Sequence, residues 1–228
     1  MTTDLNIELW HRRQVFEFFK GYDKPFFNVC ANLDVTALVN LARSDKNCSF
    51  TFAYHFLSLK TANELEPFRY RLRGGGVVIH DRIHGGSTVL LPDQSFRFYH
   101  FEFHEDFARF QREAQAALNN ARTVSDSIGH QANRDDLIYY SVLPWISFTS
   151  FSHARQSDPN DSIPKIVFGK YFHEGESIKM PVSVEVHHAL MDGVHVGAYF
   201  EKLAGYFLDP QAVLGDRNAK GELRNSKC

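Results

Sequence analysis

The chain has 228 residues, with 27 acidic and 25 basic side chains that give a formal charge of −2. That length suits one compact domain with a substantial core, and the absence of a basic stripe argues against nucleic acid as the main partner. No apolar run is long enough to span a membrane, the N-terminal residues do not resemble a signal peptide, and the three cysteines are a sparse, odd set, so we expect a soluble cytoplasmic protein.

The N-terminal half of the chain is predicted to alternate between strands and helices. Asp34 and Ser49 are residue types that cap helix N-termini, so each marks the start of a helix. Gly74, Gly75 and Gly76 lie between two apolar segments and predict a β-hairpin; no Lys-Ser/Thr pair follows them, so they are not a phosphate-binding loop. The predicted elements are a strand at 5–10, a helix at 11–20, a strand at 26–33, helices at 34–43 and 49–66, a hairpin at 68–79, and strands at 87–91 and 95–103.

The C-terminal half contains the clearest helix, at 105–121, which has apolar side chains on one side and acidic residues in its first turn. The elements predicted after it are a polar loop at 123–136, an aromatic β-rich run at 137–151, a hairpin of 164–172 with 178–186, and a helix from 194 to 209. Because neither a repeat nor a linker interrupts the chain, we predict a single α+β domain over residues 1–210, with a mixed β-sheet flanked by helices. A polar, loosely ordered tail is predicted at 211–228.

A run of seven residues lies where the last predicted strand gives way to the last helix: His187-His188-Ala189-Leu190-Met191-Asp192-Gly193. Proteins with sheets place chemistry at such strand ends because the sheet fixes the geometry while the loop leaves side chains accessible. Histidine titrates near neutral pH and can both take and return a proton. The adjacent imidazoles are therefore candidates for catalysis, and the alternative is that they are buried structural histidines.

The pattern H-H-x-x-x-D-G after such a strand resembles the signature of the CoA-dependent acyltransferases. Within that superfamily, four flanking segments resemble the chloramphenicol acetyltransferases, in that family's order: W-H-R-R-Q-V-F at 10–16, P-W-I-S-F-T-S-F at 144–151, F-G-K-Y at 168–171 and D-G-V-H-V-G at 192–197. The resemblance implies the CoA-dependent acyltransferase fold, acetyl-CoA as acyl donor, no metal, chloramphenicol as acceptor and antibiotic resistance. It also implies a homotrimer, with each acceptor pocket formed partly by a neighbouring subunit.

The resemblance implies roles for His188 and for Asp192 with Arg12. His188 corresponds to the general base that takes the proton of the acceptor hydroxyl, with its other nitrogen held by an acceptor such as a backbone carbonyl. Asp192 is expected to form a salt bridge with Arg12 rather than a relay with His188. His187 is expected to brace the strand end, and Gly193 to permit a tight turn that a bulkier residue would disturb.

Ser141 corresponds to the family serine that hydrogen-bonds the oxyanion of the tetrahedral intermediate. The alternative is an ordinary strand serine. The family usually has a threonine that helps to hold a water at that oxyanion, and Val167 stands at this position. Catalysis is therefore expected to be weaker or differently arranged.

The acceptor pocket is expected to include Phe18, Phe19, Phe27 and His153. Phe18 and Phe27 keep the aromatic character of the family, whereas Phe19 replaces a tyrosine and His153 replaces a leucine. These changes in the pocket wall argue more strongly against chloramphenicol as the acceptor than against acyl transfer as the reaction.

Three hypotheses follow from these residues. The first is an acetyl-CoA-dependent O-acetyltransferase acting on chloramphenicol, the second is an enzyme of the same family acting on a different hydroxyl acceptor, and the third is a catalytically idle ligand-binding homologue. The 12 histidines could suggest zinc, but none pairs with a cysteine at ligand spacing.

Overall fold

The computed structural model describes residues 1–123, 134–155, 158 and 160–215. The strands are β1 (Thr2–Asp4), β2 (Phe26–Asp34), β3 (Tyr70–Arg73), β4 (Gly76–His80), β5 (His84–Leu90), β6 (Phe96–Phe101), β7 (Leu137–Leu143), β8 (Lys165–Gly169), β9 (Phe172–Glu174) and β10 (Ser177–His187). The α-helices are α1 (Arg13–Phe19), α2 (Thr36–Ser44), α3 (Phe50–Glu64), α4 (Phe107–Thr123), α5 (Gly193–Leu208) and α6 (Gln211–Leu214), with 3-10 turns at Ile7–Leu9 and Glu66–Arg69.

The large sheet has the strand order β2–β10–β8–β7–β5–β6, with β9 paired to the start of β10. Strand β7 runs parallel to both β5 and β8, and the other pairings are antiparallel. Strand β10 pairs with β2 from Lys179 opposite Asp34 to His187 opposite Phe26. The predicted α+β architecture, a mixed sheet flanked by helices, is confirmed.

Both faces of strand β10 are buried, but they carry different chemistry. Because successive side chains of a strand point to opposite faces, Val182, Val184 and Val186 enter the main core with side chains of α2, α3, α4 and α5. The alternate residues Ser183, Glu185 and His187 are buried on the other face. Residues 148–155 lie over this second face, where Arg155 donates to Glu185 and the N–H of His153 donates to the same carboxylate. A polar layer therefore lies under an irregular segment instead of under helices.

The predicted start of α3 at Ser49 and the first hairpin are confirmed, whereas α2 begins at Thr36, with Val35 instead of Asp34 as its cap residue. The backbone N–H of Thr36 donates to Asp34 (2.9 Å) and that of Phe52 donates to Ser49 (3.5 Å). The hairpin of β3 and β4 joins β1 in a small antiparallel sheet. Arg71 of β3 is fully buried. It donates to several backbone carbonyls, including that of Leu137 in β7 of the large sheet (2.6 Å), and so links the two sheets. Burial lowers the pKa of Arg71 to about 10, so this guanidinium stays charged at neutral pH.

Two predicted strands are wrong in extent or type. Residues 5–10 contain a 3-10 turn because the Asn6 side chain accepts the N–H of Glu8 (3.1 Å), a local bond that competes with strand pairing. The aromatic run at 137–151 is a strand only to Leu143, after which Pro144 and the following residues leave the sheet. Most of the loop predicted at 123–136 and the tail beyond residue 215 lie outside the described residues, so those predictions stand as predictions.

None of the helices in the described part of the chain is long and apolar enough to cross a membrane.

Candidate active site

His188 lies one residue beyond the C-terminal end of β10, the strand next to edge strand β2. Its N–H donates to the carbonyl of Pro25 (2.6 Å), which extends the β2–β10 ladder by one step. A turn follows immediately, since the N–H groups of Leu190 and Met191 both donate to the carbonyl of His187 (3.0 Å each). The backbone position of His188 is therefore set by the sheet. The chain turns directly after it and leads into helix α5.

Two aromatic rings hold the imidazole of His188. The Phe19 ring stacks on it at 3.9 Å between centroids with an interplanar angle of 7°, and the Phe27 ring approaches at 4.7 Å. The His188 side chain is 34% exposed, so one part of the ring remains accessible. An imidazole fixed in this way keeps its orientation while presenting an edge to an incoming molecule.

The carboxylate of Asp192 lies near Nδ1 of His188. Oδ1 of Asp192 lies 3.3 Å from this nitrogen, but the approach is unsuitable for a hydrogen bond, so Nδ1 has no hydrogen-bond partner among the described residues. The expectation that a backbone carbonyl would hold this nitrogen is therefore not met in a single chain. Asp192 faces His188 because the turn from His187 to Met191 folds the chain back on itself.

Arg12 and Asp192 form the predicted salt bridge. Nη1 of Arg12 donates to Oδ2 of Asp192, Nη2 donates to Oδ1 (3.1 Å), and Nη2 also reaches the carbonyl of His188 (3.3 Å). Arg12 is buried, and desolvation lowers its pKa while the nearby Tyr70 raises it. A guanidinium stays protonated in such a site, so the pair ties helix α1 to the turn that carries His188.

The two remaining motif residues differ in outcome. His187 is buried, its Nδ1 accepts the N–H of Ala189 (3.2 Å), and burial followed by the nearby Arg155 lowers its pKa to about 4. This neutral imidazole is bonded to the turn that directly follows the strand, and its role as a brace stays a prediction. Gly193 instead begins helix α5 with no left-handed φ, and a Cβ there would meet no atom within 4 Å, so the predicted tight turn is wrong.

Ser141 does not lie beside His188 in one chain. It pairs with Val167 across β7 and β8, and Val167 pairs with Ser183 across β8 and β10. His188 is five residues farther along the chain than Ser183. With strands ~4.8 Å apart and ~3.3 Å per residue, the Cα atoms of Ser141 and His188 are about 19 Å apart.

The predicted acceptor residues divide between these two places. Phe19 and Phe27 contact the His188 ring, and Phe18, which is 62% exposed, packs edge-on against Phe19 at 4.9 Å. His153 instead lines a cavity of about 820 Å³ together with Ser141. The structure thus places the His188 imidazole with aromatic rings at one location and Ser141 with a cavity at another.

A family model described as chloramphenicol acetyltransferase matches residues 1–204. The chain belongs to the chloramphenicol acetyltransferase family. A chloramphenicol acetyltransferase of Escherichia coli is 28% identical over 207 residues, covering 90% of this chain and 93% of that protein. The chloramphenicol acetyltransferase of Clostridium perfringens is 26% identical over 215 residues, covering 93% and 98%.

Solved structures agree with this membership. A chloramphenicol acetyltransferase structure superposes with a TM-score of 0.83 at 25% identity, covering 91% of this chain and 100% of that one. A dihydrolipoamide acetyltransferase of Azotobacter vinelandii superposes with a TM-score of 0.66 at 16% identity, covering 88% of each chain, which reflects a shared fold. Membership of the chloramphenicol acetyltransferase family makes the chain an acyltransferase, as predicted.

The chloramphenicol acetyltransferase motifs did not reveal the charged residues near the cavity. Arg155 donates to Glu185 and to Asp161 (2.7 Å each), and its guanidinium lies 3.4 Å from the centroid of the Phe26 ring. Burial alone would raise the pKa of Glu185, but hydrogen bonds with His153 and Arg155 lower it to about 2. The polar position of Glu185 in a strand otherwise rich in valine was the one available signal. Arg155 lies in an irregular segment whose sequence has no period.

No group of three or more His, Cys, Asp or Glu side chains that could hold a metal ion occurs in the described ranges.

Proposed function

We propose that the protein transfers the acetyl group of acetyl-CoA to a hydroxyl of chloramphenicol, with His188 as general base. The observation that carries this proposal is the partly exposed imidazole at the end of β10, clamped by Phe19 and Phe27 in a chain of this family. An alcohol is a poor nucleophile at neutral pH, so a base must remove its proton as it attacks.

The reaction requires one proton transfer in each direction. His188 takes the proton of the acceptor hydroxyl while the oxygen attacks the thioester carbonyl, and a tetrahedral intermediate with an oxyanion forms. The hydroxyl of Ser141 donates a hydrogen bond to that oxyanion. The carbon–sulfur bond then breaks, and the departing CoA thiolate takes the proton back from His188. No cysteine or serine is among the side chains that stack on or pair with the imidazole, which favours direct transfer in a ternary complex over an acyl-enzyme.

The separation of about 19 Å between His188 and Ser141 requires that they act from different chains. We therefore propose a homotrimer in which His188 of one subunit faces Ser141 and His153 of its neighbour. Trp145 and Ile146, which directly follow β7 and the turn after it, are large apolar residues exposed in the single chain. Large apolar side chains that are exposed in a single chain are typical of a subunit interface.

Arg12 and Asp192 are proposed to support the site without touching the reacting atoms. Their bidentate contact fixes the carbonyl of His188 and the turn after it. Loss of either partner would release this turn and leave an unpaired charge. Cys30 and Cys48 are free thiols, which fits the proposal of a reducing cytoplasm.

The direct test measures release of CoA thiol in the presence of chloramphenicol. His188→Ala is expected to abolish release, whereas His173→Ala, which changes an exposed histidine on β9, should retain it. Full activity of His188→Ala would remove this residue as the base. Expression in a sensitive bacterium, with His188→Ala as the negative control, tests whether the protein confers chloramphenicol resistance.

A second function, transfer to a different hydroxyl compound, is favoured by the cavity around Ser141. Its lining includes the charged side chains of Arg155, Asp161 and Lys165, which suit a polar acceptor better than an apolar one. Faster turnover of another alcohol than of chloramphenicol would establish this alternative. A folded oligomer with no transfer to any acceptor would instead support the ligand-binding homologue.

A further inference from the structure

The cavity of about 820 Å³ beside Ser141 is lined by several cationic side chains, and one of them differs from the rest. Three arginines have carboxylate partners: Arg73 with Asp135 (2.7 Å), Arg134 with Asp136 (2.8 Å) and Glu102 (2.7 Å), and Arg155 with Asp161 and Glu185 (2.7 Å each). Lys165 has no carboxylate within 4.0 Å among residues 1–123, 134–155, 158 and 160–215.

The ammonium of Lys165 makes one hydrogen bond, to the carbonyl of Ala154 at 3.1 Å. An ammonium has three donors, so two remain for a ligand. The nearest charged groups are Arg155, Asp161 and Glu185, and both of these carboxylates are already bound by Arg155. Burial lowers the pKa of Lys165, with Arg155 acting in the same direction and the two carboxylates opposing it.

Lys165 faces the same side of the sheet as Ser141. In β8 it lies two residues before Val167, which pairs with Ser141, so the Lys165 and Ser141 side chains share a face. Their Cα atoms are about 8 Å apart by strand geometry, a distance that a lysine side chain can largely span. In the proposed tetrahedral intermediate, Ser141 binds the oxyanion that forms from the acetyl carbonyl. Groups of the acceptor close to its attacking hydroxyl would thus come within reach of the Lys165 ammonium.

We propose that Lys165 binds an anionic group of the acceptor, so that the preferred acceptor is a hydroxyl compound that carries a carboxylate or a phosphate close to the hydroxyl. This inference rests on the proposed acyl transfer at His188 and Ser141. An ion pair formed in a half-buried cavity is stronger than one in water, and its loss removes a charge-assisted hydrogen bond.

Matched pairs of alcohols test the charge directly. N-acetylserine is compared with its methyl ester, and glycerol 3-phosphate with glycerol, by the rate of CoA thiol release from acetyl-CoA. We expect the anionic member of one pair to have a kcat/KM roughly 10- to 100-fold higher than its neutral partner, the range for one charge-assisted hydrogen bond. Lys165→Met should remove this preference. Lys202→Met changes a lysine of helix α5 that pairs with Glu64 of helix α3, and this variant should keep the preference.

The outcome also identifies which anion is bound. A preference confined to N-acetylserine assigns a carboxylate, and one confined to glycerol 3-phosphate assigns a phosphate. Equal rates within both pairs, or a preference that persists in Lys165→Met, would overturn the inference.

A second measurement does not depend on turnover. Reductive methylation of the wild-type oligomer, followed by peptide mass spectrometry, reports the accessibility of the Lys165 amine. N-acetylserine or glycerol 3-phosphate should slow methylation of Lys165 and leave Lys202 unchanged, whereas the methyl ester and glycerol should protect neither. If no alcohol is acetylated but Lys165 is protected, the proposed acyl transfer fails and the anion site stands. Absence of protection by both anions refutes the anion site.

Discussion

Two inactive variants should restore activity when they are assembled together. His188→Ala keeps Ser141, and Ser141→Ala keeps His188. Because the register of β10, β8 and β7 separates these residues by about 19 Å within one chain, a single acetyl group cannot contact both of them there. The proposed oligomer therefore predicts a complete site made of His188 from one subunit and Ser141 from the next.

The expected recovery follows from counting. In oligomers assembled at random from equal amounts of the two variants, each site has a one-in-two chance of an intact His188 and a one-in-two chance of an intact Ser141. About a quarter of the wild-type activity should return, whatever the number of subunits in a closed ring. Each variant alone should be far lower, since loss of an oxyanion donor costs roughly 10²–10³ in turnover and loss of the base at least as much.

The assay compares the co-refolded mixture with the two parent variants refolded separately and then mixed. Thiol release with acetyl-CoA and chloramphenicol is measured at equal total subunit concentration. The double variant His188→Ala/Ser141→Ala, co-refolded with wild type, controls for subunit exchange. Activity equal to the sum of the parents would refute a shared site and require a rearrangement that brings both residues together in one chain.

Three further results are expected. Asp192→Asn strands the buried guanidinium of Arg12, and because Asp192 is about one-third exposed the loss should be about 2–3 kcal/mol, or roughly 4–12 °C in Tm; an unchanged Tm would contradict this. His187 has a pKa of about 4 instead of 6.5, so its protonation favours the unfolded chain, and stability present above pH 6.5 should fall by roughly 2 kcal/mol by pH 5. His187→Gln should lose less stability over that range, and an identical pH profile would count against the shift. Val167→Thr should raise kcat several-fold, because the added hydroxyl near Ser141 would help to hold a water at the oxyanion. An unchanged kcat would mean that this chain does not use the water held by the family threonine.

Local chemistry explains why part of the structure could be predicted from sequence. Ser49 caps helix α3 by accepting an N–H three positions away, and Asp34 accepts the N–H of Thr36, the first residue of α2; such short-range signals are visible in the chain. The change from strand to helix at His188 is equally local, and the Arg12–Asp192 pair followed from a resemblance that covers both positions.

Long-range geometry explains what could not be predicted. The distance between Ser141 and His188 depends on β8 lying between their strands, which no local pattern encodes. The aromatic run after Leu143 has the composition of a strand, yet it leaves the sheet and covers its polar face. Gly193 was assigned a turn, but the reversal of the chain is made by the backbone bonds from His187 to Met191.

The two parts of the proposed site, the imidazole of His188 and the cavity with Ser141 and Lys165, are built from different elements of the chain. His188 and its supports belong to one end of β10, where the ladder to β2, the Phe19 ring and the Arg12 contact all constrain the same imidazole. Lys165 lies on the same face of β8 as Val167, and it lines the cavity together with Ser141. The irregular segment that includes His153 and Arg155 lines the same cavity. Substitutions in that segment can alter the charge and shape of the cavity without moving the base. Under the proposal made above, the ammonium of Lys165, which has no carboxylate partner among the described residues, sets the acceptor preference without changing the surroundings of His188.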